Sequence, residues 1–177
     1  MQSDIEQIKS FTDQEIGLNY YSKTELKTLQ NQSVDRDINC SFVLEKQGKI
    51  FGLRLSFPPG CWEKGKGDGL TPVQWPHPID KTGYFQSLFI CKNLQRKGYG
   101  RELSEKSIEA MKKLDALGVV CHSWKESPGN ASMGYLEKMG FISICDHKEY
   151  WKQVDYVCTR CGSPCLCTAC EMYLDIS

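Results

Sequence analysis

The chain has 177 residues, 40% hydrophobic and 25% charged, with 22 basic and 22 acidic side chains and a formal net charge of zero. This suits one globular domain with a small addition. It excludes the broad basic footprint of a protein that binds nucleic acid or an anionic membrane. No apolar run is long enough to span a bilayer and no secretory leader is legible, so the expected location is cytoplasmic.

Thr12-Asp13-Gln14-Glu15 and Ser22-Lys23-Thr24-Glu25 match the capping box S/T-x-x-E. They predict two short helices, roughly 13–20 and 23–32, with Ile16, Leu26 and Leu29 facing inward. Residues 5–11 offer a first strand. The runs 40–46 and 50–57, joined by Gln47-Gly48, read as a hairpin, which Pro58-Pro59-Gly60 ends. From there to Gly83 the chain is rich in Gly and Pro and carries Trp62, Trp75 and His77. A stretch of that length without regular structure signals a functional or a disordered loop. Its tryptophans, with Leu70, Val73 and Ile79, favour a loop packed on the body, either hiding an open sheet edge or serving as a substrate lid.

Gly83 to Cys91 resumes as a strand ending in the apolar run Leu88-Phe89-Ile90-Cys91. The segment Gln95-Arg96-Lys97-Gly98-Tyr99-Gly100 follows. Then Leu103, Ser107, Ala110, Met111, Leu114 and Leu117 recur at the spacing of one helix face, with Gly118 as the residue just past its end. At a strand–glycine–helix junction the first helical N–H groups lack partners and carry the positive dipole end, so an anion such as phosphate is the expected guest. Neither the dinucleotide fingerprint nor the P-loop pattern is met. Residues 119–124 form the next strand, Ser127-Pro128-Gly129 breaks the chain, and Asn130 caps a helix over 131–139 that Gly140 closes. Residues 141–146 and 149–156 are the last expected strands. This alternation calls for an α/β domain with a mixed sheet and helices on its faces.

Gln95, Gly98 and Gly100 resemble the acyl-CoA pyrophosphate loop, Q/R-x-x-G-x-G/A, of the GNAT acetyltransferases. The run from Asn130 to Phe141, NASMGYLEKMGF, looks like the closing motif of the same family, and the likeness covers residues 13–156. It implies a GNAT-type mixed, mostly antiparallel sheet flanked by helices. Residues 1–156 would be the acyltransferase domain and 157–177 a small Cys-rich appendage. The implied activity is acyl transfer from acetyl-CoA to a primary amine of a small molecule or protein. Gln95, Arg96, Lys97, Gly98, Tyr99, Gly100 and Arg101 would hold pyrophosphate, with Asn130 and Ser132 assisting from the last helix. Leu88, Phe89, Ile90 and Cys91 would hold pantetheine along a strand edge, a backbone N–H of Phe89, Ile90 or Cys91 serving the thioester oxyanion.

The family commonly places a glutamate base where this chain has Gln86, and a carboxamide cannot accept the proton. Glu126 and His122 are the substitutes, each readable also as a loop carboxylate or a core histidine. The family's tyrosine acid falls at Leu136, and Tyr135 stands one residue early, about 100° away around the helix. With Gln86 and Leu136 at both chemical positions, an acyl-CoA-sensing module without turnover is the alternative. The expected partners are acyl-CoA and an amine acceptor, with no nucleic acid, no membrane, and a homodimer as an allowed assembly.

Of ten cysteines, Cys40, Cys61, Cys91, Cys121 and Cys145 are scattered and read as reduced, mostly buried hydrophobes. Cys158, Cys161, Cys165, Cys167 and Cys170 crowd together near the C-terminus. Cys158/Cys161 and Cys167/Cys170 are C-x-x-C pairs of the kind that form structural zinc sites, with Cys165 a fifth candidate ligand. A redox dithiol and an oxidisable tail are the competing readings. A metal here is expected to order the tail alone, which could then serve as a docking site for a protein partner.

Overall fold

A computed structural model describes residues 2–177, with side chains from Asp4 onward. Helices α1 (Gln2–Glu15) and α2 (Lys23–Gln32) come first, followed by the two-residue strands β1 (Val34–Asp35) and β2 (Ile38–Asn39). The main sheet is built from β3 (Phe42–Lys46), β4 (Lys49–Phe57), β5 (Thr82–Ile90), β6 (Gly118–Trp124), β7 (Ile142–His147) and β8 (Ala169–Asp175), in the order β3-β4-β5-β6-β8-β7. Only β5 and β6 run parallel. Helix α3 (Tyr99–Lys112) bridges β5 to β6, and α4 (Ala131–Lys138) bridges β6 to β7.

The capping box at Ser22 forms as expected, with Glu25 N–H bonded to Ser22 Oγ at 3.1 Å. The one expected at Thr12 does not. Thr12 lies inside α1 and its hydroxyl donates to the Lys9 carbonyl. Ile5, Ile8 and Phe11, expected as strand, recur at helical spacing and bury the inner face of α1 against the sheet. The Gln47-Gly48 hairpin turn forms with φ of 53° and 74°, as a type I′ turn requires.

Gly118 is not the residue after a helix. Helix α3 ends at Lys112, and Gly118 is the first residue of β6, where a Cβ would lie 1.8 Å from the Tyr173 hydroxyl. The expected strand over 149–156 is a chain of turns whose Tyr150, Trp151 and Tyr156 are buried in the core. The last strand is instead β8, drawn from the segment expected to be an appendage, and it lies between β6 and β7. No structural boundary therefore falls at residue 157. The physical reason is alternation: Ala169, Glu171 and Tyr173 face one side of the sheet while Cys170, Met172 and Leu174 face the other.

Each face of the sheet has its own apolar layer. Helices α3 and α4 cover one, with Met111, Leu114, Leu136 and Met172 at its centre. Helices α1 and α2, the Gly/Pro-rich loop and the cysteine segment cover the other. That loop lies on a sheet face, tied by Trp62 Nε1–H to the Thr82 carbonyl at 2.8 Å and by the Trp62 ring stacked 4.7 Å from Tyr84.

Candidate active site

Strands β5 and β6 pair only from Thr82↔Gly118 to Phe85↔Cys121. Beyond that rung β5 stays on β4 as far as Ile90, while β6 stays on β8 as far as Trp124. The two parallel strands therefore part, opening a wedge whose closed end is at Phe85. Just past it Leu55 pairs Ser87 and Ser56 pairs Phe85, which leaves Gln86 as the extra residue of a β-bulge.

The β5 edge of this wedge keeps its polar groups. Cys91 donates its N–H to the Phe51 carbonyl at 2.9 Å, so by the alternation of an antiparallel ladder Phe89 also faces β4. The N–H groups of Leu88 and Ile90 face the wedge. Of the three N–H groups expected to serve an oxyanion, those of Phe89 and Cys91 are thus directed into the sheet. The Ile90 carbonyl accepts from Gln95 Nε2 at 2.9 Å, which fixes the turn.

The turn delivers α3 with its N-terminus toward the open end of the wedge. Gly98 is the N-cap at φ 89°, with no side-chain cap bond and nothing within 4 Å of where a Cβ would stand. Gly100 lies against Leu88, 3.3 Å from a would-be Cβ. Arg96 and Lys97 are exposed beside it, while Arg101 binds Glu105 at 2.7 Å. Uncapped N–H groups, a positive dipole end and flanking cations suit a diphosphate.

Ser132 and Asn130 stand at the start of α4, beside the end of β6. Ser132 Oγ accepts from Ser123 Oγ at 2.9 Å and from Trp124 N–H at 3.3 Å, so it pins α4 to β6. Asn130 is exposed in the left-handed region and makes no side-chain cap. The Tyr135 hydroxyl is 3.0 Å from the Gly100 carbonyl and 2.7 Å from Ser104 Oγ, holding α4 against α3.

On the opposite face a cleft of about 610 Å³ lies between α2, the start of the Gly/Pro-rich loop and the turns after β7. Glu25, Leu29, Trp62, Lys66, Gln86 and Val154 are among its lining residues. Glu25 is paired with Lys66, whose ammonium also lies 4.7 Å from the centre of the Tyr21 ring. Gln86 thus stands where the cleft meets the bulge. Neither Glu126 nor His122 reaches the cleft. The Glu126 carboxylate accepts the Thr168 N–H at 2.9 Å, tying the end of β6 to the cysteine segment.

His122 has a side chain only 2% exposed. Burial lowers its pKa to about 4, against the pull of Glu171. Its Nδ1 is 2.8 Å from the Tyr84 hydroxyl, and its Nε2 has no hydrogen-bond partner. His122, His147 and Glu171 bring ligand atoms within 4.8 Å of one another. The Glu171 carboxylate is already filled, however. Oε1 accepts from the Thr71 hydroxyl and Trp75 Nε1–H, both at 2.6 Å, and Oε2 takes Thr71 N–H at 3.0 Å and His147 Nε2 at 2.8 Å. Burial raises its pKa, but these donors and His122 outweigh that and hold it below the ordinary value. Glu171 is the clamp that fastens the Gly/Pro-rich loop to β8. Sequence reasoning missed it because it lay inside a stretch read only for its cysteines.

Cys158, Cys161, Cys165 and Cys167 converge, with ligand atoms within 4.8 Å of one another. Cys161 Sγ is 3.7 Å from Cys165 Sγ and 3.6 Å from Cys167 Sγ, and all four are free thiols. Cys170, expected to pair with Cys167, is not in the group. It lies on β8, where alternation turns it to the α3/α4 face. Its place is taken by Cys165.

A mixed sheet whose parallel strands part in front of a glycine-bearing helix N-terminus is the architecture of an acetyltransferase. Residues 10–141 match the model of the acetyltransferase (GNAT) family, and the chain belongs to that family, an enzyme of the N-acetyltransferase class. Among solved structures it is similar to the ribosomal-protein-S18-alanine N-acetyltransferase of Escherichia coli, at TM-score 0.66 and 16% identity, over 100% of this chain and 90% of that one. It is also similar to Naa20 of Chaetomium thermophilum, solved with a bisubstrate analogue, at TM-score 0.70 and 17% identity, over 99% and 83%. Ard1 of Thermoplasma volcanium gives TM-score 0.66 and 12% identity, over 100% and 94%. No curated protein sequence matches the chain. Among the described residues no helix is long and apolar enough to cross a membrane.

Proposed function

We propose that the protein transfers an acetyl group from acetyl-CoA to a primary amine that enters through the cleft beside Gln86. The observation that carries this is the wedge beyond Phe85, with the N–H groups of Leu88 and Ile90 along one edge and the α3 N-terminus at its open end. Pantetheine amides fit that edge as an added strand would, and the diphosphate fits residues 95–101. The Leu88 N–H, nearest the closed end, stands where an oxyanion donor is needed.

Gln86 occupies the bulge, and of the two carboxylates that line the cleft Glu25 is held by Lys66 and Glu63 lies exposed. An acceptor that loses its proton unaided near neutral pH suits such a site. An α-amino group, with a pKa of about 7.7–8.0, does so far more readily than a lysine side chain at about 10.4. The acceptor class that fits best is therefore an α-amine, in keeping with the similarity to the S18-alanine N-acetyltransferase. Release of CoA thiol measured with N-terminal peptides, lysine-containing peptides blocked at the N-terminus, and small amines tests this. Thiol release with α-amines is the expected result. Binding of CoA without release for any amine would leave a sensing module, and turnover confined to lysine side chains would overturn the acceptor reading.

The thiol cluster supports a structural zinc ion. Tetrahedral ligands at about 2.3 Å from zinc lie about 3.8 Å apart, close to the separations at Cys161. Cys158 and Gly162 exchange two backbone hydrogen bonds of 3.0 Å, with Gly162 at φ 78°, so the first pair forms a tight knuckle. Burial raises the Cys158 pKa, but the N–H groups of Cys161 and Arg160 outweigh it and bring it to about 7. The buried Trp124 Nε1–H has no hydrogen-bond partner and lies beside Cys167, where a metal-bound thiolate would accept it. Elemental analysis is expected to find one zinc per chain, lost on Cys161→Ser.

A further inference from the structure

Arg54 is a buried arginine outside the site described above. It lies on β4 directly opposite Leu88 and is 3% exposed. Its Nε and Nη2 both donate to Ser104 Oγ, at 3.1 and 2.7 Å, and its guanidinium carbon stands 4.1 Å from the centre of the Phe85 ring. Among the described residues the arginine ion pairs belong to Arg36 and Arg101, and Arg54 has none. A cation–π contact and one hydroxyl offset only part of the cost of burying a cation without an anion. The protein keeps a desolvated positive charge whose polar neighbours are the Ser104 and Tyr135 hydroxyls, with no carboxylate paired to it.

Its place in the fold suggests what anion it awaits. Phe85 is the last β5 residue paired to β6, and its partner is Cys121. The guanidinium therefore lies under α3 against the residue that closes the wedge. Its field extends to β6, where burial raises the Cys121 pKa and Arg54 opposes that rise. If the diphosphate sits at the α3 N-terminus, beyond Ile90, the sulfur end of pantetheine falls at the opposite, closed end. The Tyr135 hydroxyl is engaged with Gly100 and Ser104, and Leu136 at the family's acid position can donate nothing.

We infer that Arg54 is a catalytic residue, its guanidinium stabilising the CoA thiolate as it leaves. The step balances without further reactants. The amine nitrogen bonds to the thioester carbon, and the tetrahedral adduct collapses as the C–S bond breaks. Sulfur keeps the electron pair, opposite the guanidinium. The ammonium proton passes to solvent, and the thiolate takes up a proton on release. A fixed cation would replace the missing acid by favouring a charge that develops only as the reaction proceeds.

The inference rests on the acyl-CoA reading, and one binding experiment separates the two. Affinities for CoA and for desulfo-CoA, which lacks the sulfur, are measured by calorimetry from about pH 7 to about pH 9, across the ordinary thiol pKa near 8.5. The wild-type protein is expected to favour CoA increasingly as pH rises, by about tenfold or more at the upper end. Arg54→Met is expected to lose that preference while binding desulfo-CoA within about threefold of wild type. Arg54→Lys should keep part of it, and serves if the Met variant does not fold. A pH-dependent preference that survives unchanged in either variant would overturn the role of Arg54, as would its absence from a wild-type protein that binds both ligands. Failure of the wild type to bind either ligand would instead overturn the acyl-CoA reading.

Discussion

The glycine turn after β5 and the cysteine segment before β8 stand out equally in the sequence, yet they differ in how far their residues reach. Between Leu88 and Gly100 strand edge, turn and helix N-terminus are contiguous, and each does its work next to its neighbours. The cysteine segment has an equally local knuckle at Cys158–Gly162, but the chain beyond it returns to lie between β6 and β7. Change at the turn of the first region should leave the sheet intact, whereas change in the second should not, because its cluster precedes a strand that lies inside the sheet. A local motif therefore reports its own geometry well and its place in the topology poorly.

Removing metal tests the difference most strongly. An appendage would loosen alone, whereas a cluster that seats β8 should lower the melting temperature of the whole domain by about 10 °C or more with chelator. Calorimetric melting that is unchanged by chelator, with disorder confined to residues 157–168, would contradict the second picture. Gly98→Val probes the other region. A β-branched residue at φ 89° is strained, and its side chain would fill the space before the helix N-terminus. CoA affinity should fall at least about 100-fold, or about 2.7 kcal/mol, while the backbone strain lowers the melting temperature by several degrees without unfolding the domain. Near-normal CoA binding would remove the diphosphate from this turn.

Acid should act on the β8 side. The folded pKa of His122 is about 4, below its ordinary 6.5, so the unfolded chain takes up that proton first as pH falls. Its contribution is complete above 6.5 and is lost on the way down to about 4, at up to about 1.4 kcal/mol per pH unit. Glu171, also depressed, adds a loss below its ordinary 4.5. Denaturant titrations should show stability falling from about pH 6.5, and His122→Gln should flatten the first part. An unchanged slope in that variant would show that another group titrates. The smallest effect is expected at Gln86→Ala, where the shape of the pH–rate profile should be retained and the rate should change by no more than about threefold. A limb that disappears would mean that the bulge position does govern proton transfer.

Much of this was legible in the sequence, and the failures share a cause. Capping at Ser22, the Gln47-Gly48 turn and the α3 register depend on residues within one turn of each other, and their side chains announce them. Gly118 looks like a helix-ending glycine but is required by Tyr173, a residue far along the chain. Residues 5–11 alternate poorly as a strand because their apolar period is helical. Glu171 and Arg54 look like ordinary charged residues. Only the pairing of β8 with β6 and of β4 with β5 makes them a buried clamp and a buried cation. The convergence of Cys165, rather than Cys170, with the other thiols likewise follows from the strand that Cys170 has joined.

If the parted edge of β5 receives pantetheine, amide hydrogen exchange will report it when CoA is added. Exchange should slow at Leu88 and Ile90 and at the first residues of α3, with Phe89 and Cys91 unchanged because their N–H groups already face β4. Slowing at Phe89 and Cys91 instead, or no change at Leu88 and Ile90 under saturating CoA, would contradict it.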